Sequence, residues 1–230
     1  SIYLNASSTG ATFGTSGIFF STTPTFSLRN NIVVNISAFA GATNTAVLRR
    51  TSGTAATIPS NYAASSNNNL FYAGTPSANN LIYTEGTATT FTNSYQTILG
   101  YKTFMSTRDQ ASISENPAFQ STTGSSSDFL KYDLSTATQI ESGGISISGI
   151  TTDYTGTTVR CPGGGCPGSS ATPDIGAWEL NGLAADLTGP SITYTPLSNT
   201  LCTNAPSLTA TITDASGVNS TAGTKPRLYF

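Results

Sequence analysis

Three times in its first 86 residues the chain sets an Asn pair directly before a short apolar run. The phrases are LRNNIVVN (Leu28 to Asn35), NNNLFYAG (Asn67 to Gly74) and NNLIYTEG (Asn79 to Gly86). Runs of three or four apolar residues suit a strand and are too short for a helix. Asn tolerates the left-handed backbone conformation, so the pair suits the bend that ends one strand and begins the next. Stacked phrases of this kind place their side-chain amides above one another, where they form a hydrogen-bonded ladder. The expectation is a solenoid of stacked β coils, each burying its face on the next. The alternative is ordinary hairpin turns in a sandwich.

The neighbouring segments also read as strands. Ile18 to Ser21, Thr25 to Ser37 and Thr45 to Arg50 are rich in Thr, Val, Ile and Phe and are bounded by Gly, Thr and Ser. One stretch departs from this. Gln96 to Asp109 places Ile98, Tyr101 and Met105 at helical spacing, which predicts a short amphipathic helix near 97–107. Beyond it, Phe129 to Ser135 and Gly144 to Ile150 alternate like half-buried strands.

Charge excludes several function classes. Charged residues are 9% of the chain, against about 25% in an average domain. Ser, Thr and Asn together make up roughly 38%. The net charge is −2 and no Lys/Arg run exists, so nucleic acid is not an expected partner. No window approaches about 18 apolar residues, so no membrane insertion is expected. His is absent, which removes the commonest general base and metal ligand. Glu85 is the single carboxylate between Ser1 and Gly100, so that stretch holds no carboxylate pair for polysaccharide chemistry. Asp109, Glu115, Asp128 and Asp133 are scattered. No catalytic residue, metal site or cofactor is assigned; a structural Ca²⁺ has no ligand set behind it.

Cys161 and Cys166 flank PGGG, and a disulfide there would close a short loop in a chain of extracellular character. Two free thiols are the alternative. Cys202 is left over, to pair outside the chain or to be buried. The opening residues Ser1 to Asn5 carry no signal-peptide pattern, as expected of a mature or internal fragment.

The later motifs are specific together: Asn116, Pro117 and Phe119; Asp153, Gly156 and Arg160; then the run Asp174, Ile175, Gly176, Ala177, Trp178 and Glu179. They resemble the C-terminal end of secreted right-handed parallel β-helix proteins common on Bacteroidota cell surfaces. The resemblance spans roughly residues 67–180; the CPGGGC insertion departs from it. It implies an all-β fold and a structural cap built from Asp153, Arg160, Asp174, Trp178 and Glu179. In that cap Trp178 and Ile175 cover the open end, and Asp174 or Glu179 holds Arg160. The alternative is that Asp153, Asp174 and Glu179 converge on a cation or act as acids. It also implies a secreted or cell-surface location reached by the Bacteroidota outer-membrane route.

These readings divide the chain into a β-helix over 1–180, a linker over 181–190 and the first strands of an incomplete Ig-like domain over 191–230. Three strands are too few for a sandwich, so the natural chain is expected to continue. The expected role is an adhesin or stalk. The alternative is a carbohydrate-binding or polysaccharide-degrading protein with its active site elsewhere. Expected partners are glycans or other surface proteins, and Tyr62, Tyr72, Tyr83 and Tyr95 are the candidate sugar contacts, with packing as their competing role.

Overall fold

The structure is a computed structural model. It describes all residues except 52–56, 88, 169–170, 198–206, 215, 220, 222–224 and 228–230. Cys202 lies outside the described residues. The chain divides into two compact units, Ser1–Ala184 and Ala185–Phe230.

Two sheets form the first unit's centre. Strands β1 (Ile2–Leu4), β3 (Ile32–Asn35) and β5 (Leu70–Tyr72) pair in parallel. Strands β2 (Ser16–Phe20), β4 (Thr45–Arg50) and β6 (Asn80–Gly86) also pair in parallel. β6 then turns back on β7 (Phe91–Tyr95), which is antiparallel. A helix, α1 (Ile98–Met105), follows; the Thr97 hydroxyl caps it by accepting from Gly100 N at 3.2 Å.

Alternation along the strands explains the layering. From sheet β1-β3-β5, Ile2, Val33 and Phe71 join a core with Val47, Ile82 and Tyr83 of the other sheet and Tyr101 and Met105 of α1. The opposite face of the same sheet carries Tyr3, Ile32, Val34, Leu70 and Tyr72. That face is covered by Ile113, Phe119, Tyr132, Ile140, Ile175 and Leu180. All four residues of β3 are therefore buried.

The expected right-handed parallel β-helix is corrected here. The sheets are small and mixed, and none closes on itself. Parallel pairing covers three strands in each of the two larger sheets. The three Asn phrases do not share one stack: Ile32 pairs with Leu70, whereas Asn80 pairs with Thr45 in the other sheet. Beyond α1 the alternating phrases do not extend the sheets. They form turns and isolated bridges such as Phe119 with Tyr132 and Ile147 with Ile150. Among the described residues of the first unit, the strand pair beyond α1 is β8 (Ala137–Thr138) with β9 (Leu183–Ala184). Tyr132 of the first alternating phrase is used instead to cover the outer face of sheet β1-β3-β5, while Ile145 and Ile150 of the second are exposed.

In the second unit, β10 (Ser191–Tyr194) and β11 (Ala210–Thr213) form an antiparallel pair. Ile192 and Tyr194 are exposed. The expected partial Ig-like sandwich is corrected to this single pair among the described residues. The third strand read at Lys225 to Phe230 falls partly outside them, and the described residues 225–227 are not strand.

Candidate functional site

Of the residues singled out around 153–179, Ile175 and Gly176 lie against the outer face of sheet β1-β3-β5. Gly176 sits at φ +105°, where its N–H donates to Asn30 O at 2.8 Å and a Cβ would come within 2.6 Å of Ile32 Cδ1. The glycine is what lets the chain approach the sheet this closely. Ile175 beside it is buried in the second core.

Arg160 and Glu179 fasten the disulfide loop to this segment. The Arg160 guanidinium lies 3.4 Å from Glu179 Oε2 and donates to the carbonyls of Gly176, at 3.1 Å, and Asp174. Glu179 accepts from Cys161 N at 2.9 Å and from Asp174 N at 3.1 Å. Cys161 and Cys166 form a disulfide with their Cα atoms 5.2 Å apart. Of the two acids read as partners for Arg160, Glu179 takes the role.

The Asp174 carboxylate points elsewhere. Its Oδ1 accepts from Ser142 N at 2.9 Å and its Oδ2 from Leu180 N at 2.8 Å. Oδ2 also lies 2.7 Å from the Tyr132 hydroxyl, which is itself 2.7 Å from Glu141 Oε2. Glu141 Oε2 accepts from Gly182 N at 2.7 Å. Burial pushes the Asp174 carboxyl up to about 7. Burial, followed by the charge of Asp174, pushes the Tyr132 hydroxyl up. Burial also raises the Glu179 carboxyl.

Asp153 does not join these acids. Its Oδ1 accepts from Thr155 N at 2.9 Å and Thr155 Oγ1 at 2.5 Å, closing its own turn, while its Oδ2 is buried without a partner. The alternative reading, in which Asp153, Asp174 and Glu179 converge, is therefore not the arrangement found. Among the described residues no group of three or more His, Cys, Asp or Glu is placed to hold a metal ion. Trp178 does not cover the end of a stack; it is half-buried beside Tyr154 and Lys131.

The four tyrosines read as sugar contacts do not form an exposed surface. Tyr62 and Tyr83 are buried, and Tyr72 and Tyr95 are half-buried. The Tyr62 and Tyr101 hydroxyls donate to Asp109 Oδ2 at 2.5 and 2.7 Å. Asn69 Nδ2 and Ser112 Oγ donate to Asp109 Oδ1 at 2.8 and 2.7 Å. Burial first and then the Asp109 charge raise the Tyr62 hydroxyl well above its ordinary value. The Tyr83 hydroxyl donates to Glu85 Oε1 at 2.6 Å, and burial followed by that bond raises it as well. Asn93 Nδ2 donates to Glu85 Oε2 at 3.0 Å, and Arg50 lies 3.5 Å from Oε1. Tyr95 stacks on Phe104 with centroids 4.7 Å apart.

Six of the eleven acidic side chains are thus buried: Glu85, Asp109, Glu141, Asp153, Asp174 and Glu179. Each accepts hydrogen bonds from the protein itself. Asp174 is 1% and Glu179 2% exposed, so neither residue faces solvent. Sequence reasoning missed Tyr132 and Glu141. Tyr132 is 42 residues from Asp174 in sequence, and no local pattern marks the pairing. Among the described residues no helix is long and apolar enough to cross a membrane. Comparisons of the chain with protein-family models, with curated proteins and with solved structures find no match.

Proposed function

We propose that the chain is a non-catalytic structural or adhesive module of a secreted or cell-surface protein. The observation that supports this best is the use of the acids. Buried carboxylates cross-link backbone segments instead of facing a cleft: Glu179 joins Cys161 to Asp174, and Asp109 joins α1's neighbour Ser112 to Tyr62 and Asn69. Such links hold irregular chain in place where sheet hydrogen bonds do not. The disulfide favours an oxidising compartment. A surface rich in hydroxyls and amides and poor in charge suits weak, neutral contacts.

The test is protease treatment of intact source cells, followed by detection of the chain in the cell and medium. Loss of the cell-associated chain, or its appearance in the medium with Cys161–Cys166 oxidised, is expected. Full protection inside intact cells with both thiols reduced overturns the location. Release of reducing ends or unsaturated sugars from polysaccharides by the purified chain overturns the non-catalytic reading.

A further inference from the structure

We propose that a pocket walled by Phe129, Tyr154 and Trp178 binds one ring of a neutral sugar. The proposal deepens the adhesive reading above and rests on it. The pocket has a volume of about 270 Å³, and Ser1, Gly124, Ser126, Leu130 and Ala177 complete its lining. That is room for a single sugar ring, at the small end of ligand pockets.

The aromatic walls are held in place before any ligand arrives. Trp178 Nε1 donates to Phe129 O at 2.9 Å, which ties two of the walls together and satisfies the indole N–H. Tyr154 N donates to Ala177 O at 3.0 Å, which ties the third wall to the residue before Trp178. The Tyr154 and Trp178 rings meet edge to face with centroids 4.4 Å apart. Lys131 Nζ sits 4.4 Å from the centre of the Trp178 ring and is held by Asp128 Oδ1 at 2.8 Å. Rigid walls reduce the ordering lost on binding.

Tyr154 is nevertheless 63% exposed. The ring is fixed by its neighbours and open to a ligand arriving from solvent. The lining chooses the chemistry. The side chains that line the pocket carry no charge, and Lys131 against the Trp178 ring is already paired with Asp128. The rings offer apolar faces to the C–H groups of a sugar. Ser126 Oγ already accepts from Asp128 N at 3.1 Å and keeps its O–H to donate to a sugar hydroxyl. A single ring on such a site gives a Kd on the order of 1 mM.

Trp178 is the one tryptophan in the chain, so indole fluorescence reports on this pocket directly. The experiment titrates neutral gluco-, manno-, galacto- and xylo-oligosaccharides into the purified chain while following that emission, with calorimetry in parallel. A saturable emission change with at least one series is expected, weakened about tenfold or more by Tyr154→Ala, a substitution of an exposed side chain. An unchanged melting curve for that variant shows that the fold is intact. Silence across the whole panel in both readouts overturns the site and leaves the structural reading standing. Calorimetric binding without an emission change, or unaffected by Tyr154→Ala, overturns this pocket while supporting an adhesive surface elsewhere. Binding only to uronic-acid oligomers, lost on adding salt, overturns the neutral ligand.

Discussion

Tyr132 has one hydroxyl proton and two carboxyl oxygens 2.7 Å from its oxygen. One contact must use a proton from a carboxyl group, since two ionised acids would leave one O···O approach without a hydrogen. One proton held on either carboxyl group lets the three oxygens share two hydrogen bonds. The Asp174 carboxyl is accordingly pushed up to about 7, chiefly by burial. In the unfolded chain an Asp ionises near about 3.9. Between these values the folded protein keeps a proton that the unfolded chain has lost. Stability therefore falls as pH rises from about 4 to about 7 and then levels off, by up to about 4 kcal/mol. Glu179, also raised, acts in the same direction. Urea unfolding midpoints across this range should decline, and Asp174→Asn should flatten the decline; a midpoint that rises with pH contradicts the shared proton. Asp109 is a second case at this scale. Asp109→Ala strands the hydroxyls of Tyr62 and Tyr101 and the amide of Asn69 in the core, and a loss of about 3 kcal/mol or more is expected in the same assay.

At the scale of elements, the Asn pairs act as the sequence suggested over a short distance. Asn30 and Asn68 take left-handed conformations, at φ 56° each, two residues before β3 and β5 begin. The amide of Asn31 donates to Asn69 Oδ1 at 3.1 Å, and Asn69 passes on to Asp109 at 2.8 Å. The ladder thus ends on a carboxylate that the apolar pattern did not point to. Helix α1 was legible because Ile98, Tyr101 and Met105 lie on one side, and Tyr101 and Met105 are the buried pair. The segment around Gly176 was legible as a motif but not as a contact. Its packing on Ile32 predicts that Gly176→Ala forces a Cβ against β3 at a positive φ, lowering stability by about 1–3 kcal/mol. Gly124→Ala, where a Cβ meets nothing within 4 Å, is the control and should leave the thermal midpoint nearly unchanged.

At the scale of the whole molecule, the chain divides after Ala184. The two cores built on sheet β1-β3-β5 lie wholly in the first unit. Limited proteolysis should therefore yield a resistant fragment ending near residue 184, and that fragment should unfold in one cooperative step. Degradation of the first unit at the same rate as the rest would contradict the division. Reducing the Cys161–Cys166 bond should lower the stability of this fragment by only about 2 kcal/mol, because the loop it closes spans a sequence separation of 5. The surrounding loop keeps its anchors through Arg160 and Glu179.

Local chemistry was readable from the residues alone. Short apolar runs set strands, two of the three Asn pairs set the bends before them, helical spacing set α1, and the chain is poor in charge. These depend on neighbours within a few positions, so a pattern along the chain is enough to reveal them. Three outcomes depended on which distant surfaces met. Tertiary structure sent the Asn phrases to two different sheets, turned the segment after α1 into a cover for sheet β1-β3-β5, and buried six acids among the hydrogen-bond donors of distant segments. Burial of an open apolar face draws in whichever apolar segment the chain can bring to it. A buried carboxylate is tolerated only where donors already wait, and neither partner is encoded beside the other in sequence.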